Sequence, residues 1–377
     1  LDDGWFGGRR DENRGLGDWY VSPDAWPTGL DPLIERVNDL GMVFGIWFEP
    51  EMVNPDSDLY RLHPDWTLTT EGYEPVLGRG QLVLDFGRSE VRQNMYDQID
   101  KILSAHNIGY VKWDMNRVIV QGSDAAGRAG VRRHVLGLYQ LLDELRAAHP
   151  DVEWESCASG GGRIDAGILA RTDRVWTSDS NDAADRQLIQ RGASLIIPPE
   201  LMGSHIGPPT SHTTGRTHSL GYRAATALFG HMGIEWNVLT MSDDDRKALG
   251  AVIELYKTHR ELLHNGVPVR LDHPDESIVA HGVVDADLTQ GLFSVASVAT
   301  RSSSALTPLV IPWLSNDRSY LVEPVFIGGE HPGKDYYPPQ WILGGSVMTG
   351  GFLGGHGLSM PVFWPERALL IRLTQAQ

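Results

Sequence analysis

Over about its first 260 residues the chain alternates apolar, β-branched runs of about five to eight residues with stretches of helical period. That rhythm argues for repeated βα units and a parallel sheet. The runs are Met42 to Phe48, Tyr110 to Asp114, Val152 to Cys157, Arg174 to Asp179, Leu195 to Pro198 and Ile234 to Asn237. Helices are expected over Pro32 to Leu40, capped by Asp31, and over Ser89 to His106, capped by Ser89. Val131 to Ala148 carries the clearest apolar face, made by Val131, Val135, Leu138, Leu141, Leu142 and Leu145. Asp182 to Arg191, Gly221 to Gly230 and Asp243 to Leu263 complete the helical set. Near residue 264 the texture changes to short alternating runs at Ser277 to Val283, Leu292 to Val298, Leu309 to Ile311 and Ala368 to Leu373. The expected division is therefore an α/β domain over 1–263 and an antiparallel β-sandwich domain over 264–377.

Repeated βα units fit a doubly wound sheet or a TIM-type (β/α)8 barrel. No G-x-G-x-x-G follows a strand and no G-x-x-x-x-G-K-[ST] occurs, so a nucleotide site has no phosphate loop. Polar residues instead close several runs: Glu49 after Trp47-Phe48, Asp114 after Lys112-Trp113, Cys157 after Ser156, and Asp179 after Trp176-Thr177-Ser178. Carboxylates gathered at strand C-termini are what the active face of a barrel requires, and the barrel is the preferred architecture. The net charge is −17, so nucleic acid and anionic membrane surfaces are poor partners. One cysteine, Cys157, allows no internal disulfide, and a cytoplasmic setting is expected. Twelve tryptophans give an excess of flat aromatic surface that suits carbohydrate, although Trp66, Trp154 and Trp236 read more readily as core.

Strand alternation puts Tyr110, Lys112, Asp114 and Asn116 on one side, facing the axis of a barrel near its mouth. A lysine two residues before a carboxylate keeps it ionised, and such an aspartate serves as a nucleophile or as half of a salt bridge that caps the core. Asp179 is the second carboxylate needed for proton transfer. Asp182 reads as a helix cap, and Asp185 with Arg186 as a solvated face. Two carboxylates flanking one sugar suit glycosidic chemistry. Glu49 and Glu51 flank Pro50 and fit a hydrogen-bonding scaffold better than catalysis. His205, His212 and His218 are too widely spaced for a compact metal motif and read as an ordered loop, so neither a metal nor another cofactor is expected. Cys157 lacks a basic partner nearby and reads as a packing group.

Five stretches, in order, resemble the α-galactosidases of glycoside hydrolase family 36: Leu1-Asp2-Asp3-Gly4-Trp5, Gly45 to Val53, Lys112 to Arg117, Glu155 to Arg163, and Trp176-Thr177-Ser178-Asp179. The resemblance implies a retaining double displacement on melibiose-, raffinose- or stachyose-like sugars, with Asp114 as nucleophile and Asp179 as general acid/base. A galactosyl transferase of the same chemistry and a non-catalytic sugar-binding protein are the alternatives. It further implies that Asp2 and Asp3 hold galactose O4 and O6, and that Trp47 forms a pocket wall. Lys112 and Asn116 would bind ring hydroxyls, Cys157, Gly160 and Trp176 would shape the floor, and Arg79 would reach in from a loop. Family members carry an N-terminal β-sandwich domain and a first barrel strand ahead of the Leu-Asp-Asp-Gly-Trp stretch. By that comparison the chain is expected to be the C-terminal part of a longer protein, its barrel incomplete at the N-terminus. A homotetramer is expected for the full-length protein.

Overall fold

The alternation of strand and helix is present in the computed structural model, which describes every residue except Ser302, Ser304, Ala305, Asp335, Phe363 and Gln377. Two compact units divide the chain, Leu1–Trp176 and Thr177–Gln377. In the first, the elements run α1 Asp31–Asp39, β1 Gly45–Phe48, β2 Met52–Val53, α2 Asp58–Leu62, β3 Leu82–Val83, α3 Ser89–Ala105, β4 Tyr110–Trp113, α4 Val131–Ala148, β5 Glu153–Ser156, α5 Ala166–Leu169 and β6 Arg174–Trp176. Strands β1, β4, β5 and β6 pair in that order, all parallel. The register aligns Trp47, Lys112 and Glu155 in one row.

β4 shows why these residues make a strand. Val111 and Trp113 point into the core, whereas Tyr110 and Lys112 face the other way and are half-buried. The core holds Trp5, Phe6, Trp19, Phe48 and Trp154, packed edge-on or tilted, with Trp5 and Phe48 centroids 5.3 Å apart at 88°. Several tryptophans are therefore structural rather than sugar platforms, Trp66 and Trp154 among them. The helix caps expected at Asp31 and Ser89 are not made. Leu30 and Arg88 occupy those positions without a side-chain bond, and Asp31 pairs instead with His106 at 2.6 Å.

A buried ionic cluster ties three elements together. Glu51 takes both terminal nitrogens of Arg163, at 2.7 and 3.0 Å, the indole N–H of Trp113 at 2.9 Å, and His134 at 3.3 Å. Burial alone would push its carboxyl up, but Arg163 and His134 outweigh burial and hold it down at about 2. Glu51→Ala leaves Arg163 buried without its anion and is expected to cost about 3–5 kcal/mol. The folded value lies below the ordinary 4.5, so this stabilisation is complete above about pH 4.5 and is lost as the pH falls toward 2. Chemical denaturation of wild type and variant at neutral pH and at about pH 3 checks both statements; a gap that does not narrow in acid contradicts the second.

The second unit runs α6 Ala183–Ala193, β7 Met202–Ile206, α7 Leu220–Ala227, β8 His231–Ile234, α8 Asp243–Asn265, β9 Val267–Leu271, β10 Ile278–Val284, β11 Gln290–Ser297, β12 Ser319–Val325, α9 Gln340–Gly344, β13 Ser346–Thr349, α10 Gly350–Gly355 and β14 Arg367–Gln375. β7 and β8 are a parallel pair. The later strands hydrogen-bond in one antiparallel sheet, in the order β13-β12-β14-β11-β10-β9, where a two-sheet sandwich was expected. Parallel strands alternating with helices, followed by an antiparallel sheet, give a barrel-type α/β fold with a C-terminal β domain.

Three strand expectations need correction. Leu195 to Pro198 is not a strand: residues 194–196 form a turn after α6, with Leu195 and Ile196 exposed. Pro198 and Pro199 lack the N–H a ladder needs. The strand is Met202–Ile206, whose glycine and serine hide it from an apolar pattern; a Cβ on Gly230 of the neighbouring segment would lie 2.6 Å from the Met202 carbonyl, so small residues are required here. β8 ends at Ile234, where the expected strand began. Among the described residues Leu309 makes a single bridge, to Leu358, and no strand. β9, β12 and β13 were not expected, because proline interrupts the first two. Pro268 lies on an edge strand, and Pro324 lies beyond the stretch Ser319–Val322 that pairs with β13.

Candidate active site

Asp114 follows β4 directly, and its backbone N–H extends the ladder to the Phe48 carbonyl at 2.8 Å. The side chain therefore keeps the Lys112 side of the strand. It is 6% exposed. Its Oδ2 accepts from Asn116 Nδ2 at 2.7 Å and from Trp47 Nε1 at 3.2 Å, and its Oδ1 accepts from the Met115 N–H at 2.7 Å. Three donors from two strand ends thus fix the plane of one carboxylate.

The sequence leaves Lys112 to pair with Asp114 or with another acid. Its ion-pair partner is Glu155, at 3.5 Å, directly across the register on β5. The ammonium also stands 4.8 Å over the Trp176 ring. Burial works against its charge, but Glu155, Cys157, Asp114 and Asp2 together outweigh burial and raise its pKa. Lys112 therefore stays cationic, and its field reaches Asp114 without direct contact. Sequence reasoning gave Glu155 no task, although stepping back two residues from Cys157 along a strand finds it.

Asn116 is braced on three sides. Its N–H donates to Glu49 Oε1 at 2.7 Å, its amide nitrogen donates to Asp114, and its amide oxygen accepts from Ser159 Oγ at 3.2 Å. Ser159 and Gly160 turn through left-handed backbone (φ 47° and 79°), which lets the Gly160 N–H reach the buried Cys157 Sγ at 3.3 Å. Asp2 and Asp3 are exposed beside β1, because Leu1 bonds to Gly45 and Trp47 through its backbone. Arg9 holds Asp3 at 2.8 Å. Arg79 is exposed in the turn between Gly78 and Gly80, also with positive φ, and its charge is felt at Glu49.

β6 stops at Trp176, so Asp179 is not the end of a strand but an exposed residue in the bend beyond it, within the second unit. Asp182 is fully buried and caps α6, accepting from the N–H groups of Ala184 at 2.9 Å and Asp185 at 3.1 Å, while Arg216 Nε lies at 2.8 Å. Burial opposes its charge, but Thr214, the Asp185 N–H, His218 and Arg216 prevail and lower its pKa. A carboxylate held as an anion by its cap has no proton to give, and the cap expectation stands. His205 faces Glu235 and His218 faces Glu366, each with its own carboxylate. No group of three His, Cys, Asp or Glu among the described residues could hold a metal ion. A cavity of about 280 Å³ in the second unit, lined by Arg191, Phe229 and His281 among others, contains none of the expected site residues.

A model of the melibiase family matches residues 1–266. The chain is 44% identical over 385 residues to an α-galactosidase of Escherichia coli, covering 100% of this chain and 54% of that protein. It is 39% identical over 335 residues to α-galactosidase AgaA of Geobacillus stearothermophilus, covering 87% of this chain and 46% of the relative. Crystal structures of variants of that family 36 enzyme match it along 100% of this chain and about half of theirs: a raffinose complex with a TM-score of 0.91 at 34% identity, and a stachyose complex with a TM-score of 0.90 at 34% identity. The chain spans about half the length of the curated relatives it matches. The chain belongs to the melibiase family, among the enzymes of glycoside hydrolase family 36.

Proposed function

We propose that the protein is a retaining α-galactosidase. Asp114 attacks the anomeric carbon, and Asp179 protonates the leaving oxygen and then takes a proton from water. One observation carries this reading: the Asp114 carboxylate is held by Asn116, Trp47 and Met115 at the C-terminal end of a parallel strand. A nucleophile needs an oriented lone pair more than a proton, and three fixed donors supply the orientation. The buried Lys112 ammonium beside Glu155 and Trp176 supplies a cationic hydrogen-bond donor for a ring hydroxyl. Asp2 and Asp3 offer exposed acceptors for O4 and O6, Arg79 closes the site from its turn, and Cys157, Gly160 and Trp176 shape the floor.

The substrates proposed are melibiose, raffinose and stachyose, by analogy with the raffinose and stachyose bound to the relatives' variants. We also propose a division between catalytic and β domains near residue 264, where α8 gives way to β9, a homotetramer for the full-length protein, and a cytoplasmic location, which the single cysteine favours. No described helix is long and apolar enough to cross a membrane. Full-length protein given p-nitrophenyl α-galactoside is expected to release nitrophenol and α-galactose as the first-formed sugar. Product mainly as galactosylated acceptor, when an acceptor sugar is added, identifies a transferase instead. A folded sample that releases nothing refutes both.

A further inference from the structure

Glu49 is a buried carboxylate beside Asp114 that the proposed chemistry leaves without a task. It follows β1 and is 1% exposed. Its Oε1 accepts the Asn116 N–H at 2.7 Å, and the amide of the same Asn116 donates to Asp114 at 2.7 Å. One residue therefore links two carboxylates. No arginine, lysine or histidine forms an ion pair with Glu49 among the described residues, in contrast to Glu51 two positions on, which Arg163 grips with two nitrogens. The other neighbour of Glu49 is Gln81, whose Nε2 lies 3.4 Å from Oε2. The amide oxygen of Gln81 is buried and has no hydrogen-bond partner. An amide is both donor and acceptor, so Gln81 can face either form of Glu49: nitrogen toward a carboxylate, oxygen toward a carboxylic acid after a half turn. Two like charges in a dry site do not both ionise cheaply. Burial first, and then the charge of Asp114, push the Glu49 carboxyl up to about 7, against the pull of the Asn116 N–H, its side chain and Arg79.

Taking Asp114 as the nucleophile proposed above, we propose that Glu49 is a positioning residue that exchanges charge with it: Glu49 keeps a proton while Asp114 is a free carboxylate, and releases that proton when the sugar esterifies Asp114. In the first half-reaction an Asp114 oxygen bonds to C1 as the bond from C1 to the leaving oxygen breaks, and that oxygen takes the proton of Asp179. The new ester is uncharged. The repulsion that held the proton on Glu49 ends, and the proton passes to solvent. In the second half-reaction the oxygen of water bonds to C1, its proton goes to Asp179, and Asp114 departs as a carboxylate. Glu49 then takes a proton back from solvent. Asn116 thus meets about one negative charge across its two contacts at every stage, which keeps it in place for both steps.

Infrared difference spectra of the intact protein, recorded against Glu49→Gln from about pH 5 to 9, test the exchange without substrate. A carboxylic-acid carbonyl band assigned to Glu49 is expected on the acid side of neutrality. In Asp114→Asn, where the neighbouring charge is gone, its midpoint is expected about 1 pH unit or more lower. A Glu49 that shows no acid band, or a midpoint that ignores Asp114→Asn, overturns the proposal. The pH profile of kcat/KM gives the second readout: an ionisation near neutrality in wild type that Glu49→Gln removes supports the exchange, and its persistence in the variant refutes it. If the infrared response holds but no α-galactoside turns over, the galactosidase reading has failed and takes the release step with it. If turnover is normal and the band is unresponsive, the exchange alone has failed.

Discussion

Asp114→Ala is expected to lower kcat on p-nitrophenyl α-galactoside by about 10⁴-fold or more, the scale of losing a covalent nucleophile. The structure gives a reason to expect chemistry, not folding, to be lost. Among the described residues Asp114 is no member of a buried ion pair, and its partners are an indole N–H, an amide and a backbone N–H. Each is a neutral donor, so truncation costs stability on the order of 1–3 kcal/mol for donors left in a partly buried space. The same space, still lined by Trp47 Nε1 and Asn116 Nδ2, accepts a small anion. Added azide is therefore expected to restore turnover and to give β-galactosyl azide, inverted relative to the α-linked substrate, because the anion attacks from the side the carboxylate occupied. NMR of the azide product decides it. The α-anomer, or activity within about tenfold of wild type, removes Asp114 from the nucleophile's position.

What could be read from the amino acids was what each stretch does by itself. The helix Val131–Ala148 is present where it was expected, because its six face-forming leucines and valines repeat at helical spacing; Leu138, Leu141, Leu142 and Leu145 are buried, whereas Val131 in the first turn is exposed. The strand ending in Lys112-Trp113 was visible because its alternation is local, and so was the Asp182 cap, whose partners lie two and three residues on. Contacts set by sheet register were hidden. The ion-pair partner of Lys112 was left open between Asp114 and another acid, and only the parallel register singles out Glu155. Glu49 looked like scaffold until Asn116, bonded to both, brought it beside Asp114. β7 was missed for the opposite reason: a strand built of Met-Gly-Ser-His-Ile has a close approach to another backbone to satisfy, and tertiary packing overrides its weak β-propensity. Trp47 was expected as a wall, and its ring nitrogen proves to be a donor to Asp114.

Asp179→Ala is expected to act unequally on different substrates, and that inequality is what identifies a proton donor. Raffinose leaves as a sugar alkoxide and needs protonation as its bond breaks, so kcat/KM is expected to fall by about 10²–10⁴-fold. Nitrophenolate leaves unaided, so kcat/KM for p-nitrophenyl α-galactoside is expected to fall by about tenfold or less. Its kcat falls further, because water that attacks the Asp114 ester still lacks a base, and the galactosyl-enzyme accumulates. Azide needs no base and is expected to relieve that block, giving α-galactosyl azide, the anomer opposite to that from Asp114→Ala. The exposed bend that carries Asp179 makes a folding defect a poor explanation for any of these effects. Asp182 is the rival three residues on, but it is buried, caps α6 and is held as an anion by Arg216 and Thr214, so Asp182→Asn should change stability while leaving the ratio between the two substrates as in wild type. Equal losses on raffinose and nitrophenyl galactoside in Asp179→Ala, or a ratio that moves with Asp182→Asn instead, would take the acid/base role away from Asp179.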